Sequence, residues 1–179
     1  MKAENLQASG AALAEETPVK VRKIGHVVFR VKNLDETIKF WTEVMGFKVS
    51  DRNEGGLVFL RYGSDHHNIG VAQASAGELP KKGEAGFDHI ALEVGSVAEL
   101  FQIRDFLRAK GVPIVFEGRR GAGCNIGIEF KDPNGFQIEL YAAMDQIGWD
   151  GKSRPASQWR RASSLEEAVA NPVEGAKYT

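Results

Sequence analysis

Ile24-Gly25-His26-Val27-Val28-Phe29-Arg30-Val31 returns 63 residues later as Phe87-Asp88-His89-Ile90-Ala91-Leu92-Glu93-Val94. Both stretches alternate with a period of two and are rich in β-branched and aromatic residues, the pattern of a strand with one buried face. Each leads into a helical stretch, from about Leu34 to Met45 and from about Val97 to Lys110. Asn33 and Glu36 open the first at capping-box spacing and Gly46 stops it; Ser96, Glu99 and Gly111 do the same for the second. Strand-like runs follow at Phe47–Asp51, Leu57–Tyr62 and Asn68–Gln73, and again at Pro113–Glu117, Ile126–Lys131 and Phe136–Tyr141. The unit is therefore βαβββ, present twice and joined by the polar linker Ser75 to Gly86.

This repeat sets the expected organisation. An N-terminal arm covers 1–22, a body covers 23–144 with modules 23–76 and 87–144, and a tail covers 145–179. The tail carries Trp149, Trp159 and a short helical candidate from Ser164 to Ala170, and is expected to pack on the body as an irregular strap. The expected fold is α+β, with the two modules forming one open, barrel-like mixed sheet around a metal site.

Alternation assigns the polar side chains to faces. Val27, Phe29 and Val31 point one way, and His26, Val28 and Arg30 the other. In the second copy His89 lies with Phe87, Ala91 and Glu93. In the last strand Phe136, Ile138 and Leu140 oppose Gln137, Glu139 and Tyr141. His26, His89 and Glu139 thus all project from faces opposite the helix-packed core. Two histidines at equivalent positions of a repeat come together if the two modules pair their sheets. Two His and one carboxylate with open positions suit a non-haem Fe(II) oxygenase, and equally a catalytic Zn(II).

Composition removes other classes. Lys and Arg number 23 against 24 Asp and Glu, a net charge of −1, with no basic face for nucleic acid and no polybasic run for an anionic membrane. No apolar run approaches a membrane span or a signal-peptide core. A single cysteine, Cys124, excludes an intramolecular disulfide and suits a reducing compartment, so the expected location is the cytoplasm.

The paired modules, the two His-bearing strands and the ending Asp132-Pro133-Asn134-Gly135-Phe136-Gln137-Ile138-Glu139 resemble the vicinal oxygen chelate superfamily, which includes glyoxalase I, bleomycin-resistance proteins and type I extradiol dioxygenases. The resemblance covers about Lys23 to Tyr141. Glyoxalase-type sites in that superfamily take a fourth ligand from the last strand of the first module; here that strand reads Asn68-Ile69-Gly70-Val71-Ala72-Gln73 and offers no carboxylate. The resemblance therefore implies a one-domain extradiol dioxygenase with a metal on His26, His89 and Glu139. Fe(II) is the implied metal and Mn(II) the alternative, with a catechol-type substrate and O2. The segment Asp65-His66-His67-Asn68-Ile69 resembles the one that carries an acid–base histidine, here His67.

Two positions depart from the family pattern. Glu129 stands ten residues before Glu139, where a tyrosine is frequent, and Arg120 ends Gly118-Arg119-Arg120, where a Gly-Arg-His segment is frequent. Arg120 is expected to steady negative charge on substrate or bound oxygen. Glu129 is expected to project into the Glu139 cleft as an acceptor for the substrate hydroxyl and a partner for Arg120. A glyoxalase-like lyase and a bleomycin-resistance-like binding module are the competing expectations. Unpaired sheet edges make a homo-oligomer the default assembly.

Overall fold

The computed structural model of the chain describes residues 23–75, 87–146, 152–176 and 178. The expected arm (1–22), most of the linker and Trp149 lie outside the described residues. The element order is β1 (Val27–Val31), α1 (Leu34–Glu43), β2 (Lys48–Arg52), β3 (Val58–Arg61), β4 (Ile69–Gln73), β5 (His89–Glu93), α2 (Val97–Ala109), β6 (Ile114–Arg119), β7 (Ile126–Lys131), β8 (Gln137–Ala142) and α3 (Leu165–Ala170). The α+β class and the two βαβββ modules stand as read. The eight strands divide between two four-stranded mixed sheets, ordered β1-β4-β3-β2 and β5-β8-β7-β6.

The modules repeat one another in register as well as in order. β1 runs parallel to β4 and β5 parallel to β8, and every other pairing is antiparallel. Each carries a bulge in its outer hairpin, between Val49 and Asp51 in one and between Ile114 and Phe116 in the other. The helix caps are those the spacing indicates: Asn33, Ser96 and Ser164 each accept a hydrogen bond from the backbone N–H three residues on. β1 begins at Val27 rather than Ile24, because the ladder starts at Val27 against Ile69 and residues 24–26 have no strand beside them. His26 therefore sits at the mouth of its strand, whereas His89 opens β5 itself.

The core lies between helices and sheets. Trp41, Leu60 and Val71 fill it in the first module, and Leu100, Ile126, Ile128, Phe130 and Ile138 in the second. Phe29 joins the halves, its ring centroid 4.9 Å from Phe136 and 5.3 Å from Phe87. The Asp132–Gly135 turn is a second joint. Asn134 accepts from the Lys32 N–H at 2.9 Å and donates to the buried Thr37 hydroxyl at 2.7 Å. Asp132, itself buried, holds the turn by accepting from the N–H groups of Asn134 and Phe136.

The C-terminal tail docks on β6, the outer strand of the second sheet. Arg119 and Ala162 exchange backbone hydrogen bonds of 2.9 Å in both directions, so the tail covers a sheet edge that would otherwise be open. Arg119 is 1% exposed. Its guanidinium donates to the carbonyls of Arg160, Asn171 and Ala168 and to the Tyr178 hydroxyl, closing the C-terminal end of α3. Gly118 has φ +132°, and a Cβ there would overlap the Ala162 carbonyl. Gly118→Ala should therefore cost about 1–3 kcal/mol and undock the tail. Limited proteolysis should trim the tail of the variant faster than it cuts the body; an unchanged pattern and melting temperature would contradict this docking.

Candidate metal centre

Register across the second sheet builds the centre. Glu139 on β8 faces Ala91 on β5 and Glu129 on β7, and Glu129 faces Phe116 on β6, so four strands place these residues in one row. His89 lies one pleat along β5 on the same face, with Nε2 3.6 Å from Glu139 Oε2. Its other ring nitrogen, Nδ1, donates to Asp88 Oδ1 at 2.9 Å. With Nδ1 on Asp88, Nε2 is the ring nitrogen directed at Glu139, and a carboxylate on the far nitrogen is the usual support of a metal-bound histidine. A common ion bound at about 2.1 Å by each would hold the two atoms roughly 3.0–3.4 Å apart, close to the observed spacing.

Glu139 is half-buried and held from the other side by Asn125, whose Nδ2 donates to Oε1 at 2.6 Å. Gly127 gives it room, since a Cβ there would stand 2.8 Å from Oε1. Burial pushes the Glu139 carboxyl above its ordinary pKa and the facing charge of Glu129 adds to this; His89, Asn125 and Arg120 oppose the shift. Glu129 is 6% exposed and bound in full: Arg120 grips it with Nε at 2.6 Å and Nη2 at 2.7 Å, and Gln137 donates at 2.8 Å. Phe116 backs the Arg120 guanidinium at 3.8 Å.

The first module presents the other half. His26 is exposed at the mouth of β1, its ring centroid 4.6 Å from that of His67. Desolvation depresses the His67 pKa, and the neighbouring charges of His26 and then His66 depress it further, which favours the neutral imidazole. No group of three or more His, Cys, Asp or Glu close enough to hold an ion forms among the described residues. His89 and Glu139 are brought together, His26 and His67 are brought together, and the two pairs are not gathered into one cluster. β1 and β5 each form one edge of their sheet, with β2 and β6 at the other edges. Gly70 on β4 faces Val28 just as Glu139 faces Ala91 on β5, so the first module holds a glycine where the second holds its carboxylate.

Sequence reasoning passed over Asn125, Asp88 and Arg119. Asp88 had a signal in its position beside His89. Asn125 and Arg119 had none, because their partners are distant in the chain.

Residues 23–140 match the model of the Glyoxalase/Bleomycin resistance protein/Dioxygenase superfamily. A manganese-dependent 2,3-dihydroxybiphenyl 1,2-dioxygenase of Geobacillus genomosp. 3 is 25% identical over 159 residues, covering 87% of this chain and 45% of the dioxygenase. The chain thus spans less than half the length of that relative. A probable lactoylglutathione lyase of Vibrio cholerae is 33% identical over 132 residues, covering 66% of this chain and 88% of the lyase. A glyoxalase/dioxygenase structure from Nostoc punctiforme shares the fold, with a TM-score of 0.59 at 16% identity over 73% of this chain and 96% of that one. No helix among the described residues is long and apolar enough to cross a membrane.

The Arg120–Glu129 pair predicts a specific pattern of stability. Arg120→Met leaves a buried carboxylate directly opposite Glu139 and should cost about 1–3 kcal/mol, reduced from the fully buried case because the arginine is largely exposed. Adding Glu129→Gln should recover at least half of that loss. Denaturant unfolding of the two variants checks this, and a double variant no more stable than Arg120→Met would contradict it.

Proposed function

The chain belongs to the Glyoxalase/Bleomycin resistance protein/Dioxygenase superfamily, and within it we propose a metal-dependent extradiol dioxygenase that opens a catechol-type ring with O2. The observation that carries this reading is Gly70. The position in the first module that matches Glu139 has no side chain, and the Val28 methyls lie against it, 3.1 Å from where a Cβ would stand. A donor set of His26, His89 and Glu139 leaves coordination positions for both substrate oxygens and O2, which a fourth carboxylate would reduce. The dioxygenase relative supports the same reading by its name, and its manganese makes Mn(II) as well as Fe(II) a metal to test.

In this reading His89 and Glu139 hold the metal from one sheet edge region and His26 joins them from the other. The histidine-bearing strands are both outer strands, so pairing the two module sheets, as a homo-oligomer would through its open edges, is the movement that unites them. A divalent ion held there would supply a Lewis acid that lowers the pKa of a catechol hydroxyl. The chain's own residues do the rest. His67, whose pKa desolvation and then the charges of His26 and His66 push below the ordinary histidine value, is the residue placed to take a proton from the substrate and return it. Glu129 is fully engaged by Arg120 and Gln137, so its part is to orient Arg120 along the cleft floor, and Arg120 offers positive charge to an anionic substrate.

The lactoylglutathione lyase relatives support a second reading, isomerisation of a thiol adduct, with water completing the metal shell. Oxygen uptake separates the two. Protein purified without oxygen and loaded with Fe(II) or Mn(II) should consume one O2 per ring opened on at least one member of a catechol panel. His67→Ala should lower turnover about 10²-fold or more while sparing metal content. Turnover of methylglyoxal–thiol adducts with no oxygen consumed on any catechol would replace the proposal with the lyase.

A further inference from the structure

Glu139 leans along its sheet. Its cross-strand partner is Glu129, yet its Oε1 lies over Gly127 and accepts a 2.6 Å hydrogen bond from Asn125 Nδ2. Asn125, Gly127 and Glu129 share one face by alternation, so the carboxylate is drawn away from its like-charged neighbour toward the start of β7. With Oε1 taken, Oε2 is the oxygen 3.6 Å from His89 Nε2. Asn125 therefore decides how Glu139 is aimed. It stands one residue before β7, at the end of the loop that follows β6.

That loop is braced from the tail. Cys124 is buried with φ +50°, a left-handed conformation that a residue with a side chain keeps only where its surroundings hold it. The Cys124 N–H donates to the Gly121 carbonyl at 2.9 Å, the Asp145 N–H donates to the Gly123 carbonyl at 2.7 Å, and the Cys124 thiol donates to the Asp145 carboxylate. Further along the tail, Arg154 grips Asp145 with Nε at 2.8 Å and Nη2 at 3.1 Å, both side chains largely withdrawn from water. Arg154 Nη2 also donates to the Glu174 carbonyl, and the Arg154 carbonyl accepts from the Trp159 indole N–H at 3.2 Å. The Trp159 ring closes the other end of the loop, where a Cβ on Gly121 would stand 3.0 Å from it. We propose that Asn125 and Arg154 are positioning residues for the metal: Arg154 holds Asp145, Asp145 holds the loop, and the loop's Asn125 aims Glu139. The proposal rests on the metal centre and not on the reaction assigned to it. Partners of a ligating carboxylate change metal affinity by about 10- to 100-fold, so the tail is a determinant of metal retention.

Mn(II) binding to the whole chain, freed of metal by chelation, tests this without turnover, the unbound ion being read by electron paramagnetic resonance. Asn125→Ala and Arg154→Met should each weaken Mn(II) binding about 10- to 100-fold, and Arg154→Lys should keep part of what Arg154→Met loses. The losses should not multiply. Asn125→Ala combined with Arg154→Met should bind within about threefold of Asn125→Ala alone, because Arg154 acts through Asn125. Asp145→Asn, which keeps the shape of the side chain and removes the charge that Arg154 grips, carries the same cycle should Arg154→Met fail to fold. Losses that multiply overturn the relay, since Arg154 would then act on the fold at large. Wild-type affinity in Asn125→Ala overturns the positioning role while leaving the metal centre standing. A wild-type chain that binds no Mn(II) removes the metal centre and this proposal with it. Oxygen uptake decides the dioxygenase reading separately.

Discussion

Two carboxylates stand directly opposite one another on adjacent strands, Glu129 on β7 and Glu139 on β8, both largely withdrawn from water. Like charges so placed repel, and each must be matched or neutralised for the sheet to close over them. The structure solves half of this with protein groups. Arg120, backed by Phe116, takes both oxygens of Glu129, and Gln137 takes a third hydrogen bond. Among the described residues Glu139 accepts a hydrogen bond from Asn125 and has His89 Nε2 3.6 Å away. The asymmetry leaves one carboxylate fully engaged and the other with a single hydrogen bond, which is the ground for proposing that Glu139 and His89 hold a cation.

Once Glu129 is matched by Arg120, the surrounding features acquire reasons. Arg120 follows directly on the end of β6, and the adjacent Gly118 and Arg119 tie the tail to the same strand. The tail is thereby part of the cleft wall rather than an appendage, and it covers an edge that charge or another chain would otherwise have to guard. At the opposite edge of the sheet β5, among the described strands, pairs on one side only, as β1 does in the first module.

Much of this was legible before any coordinates. The repeat fixed two βαβββ modules because strand, cap, helix and glycine stop all recur in order, and local signals at Asn33, Ser96 and Ser164 matched the caps that form. Alternation placed His89, Glu129 and Glu139 on one face, since a period of two leaves no other choice within a regular strand. Arg119 was not legible: its neighbour Arg120 is identical in type, and only the pleat and the docking tail decide that one is buried and the other reaches Glu129. How the two sheets sit together was also beyond alternation, which speaks of faces and not of how two sheets are joined. The strands form two sheets in place of one continuous one, and His26 is not gathered with His89 and Glu139.

The central claim is that Glu139 and His89 await a divalent ion with His26 as the third ligand. Crystals grown with Mn(II) and measured for anomalous scattering test it most directly. The account predicts one strong peak about 2.1–2.3 Å from His89 Nε2, Glu139 and a His26 imidazole, with Arg120 still on Glu129. A peak elsewhere in the molecule, or none at the Glu139–His89 pair at saturating Mn(II), would contradict it.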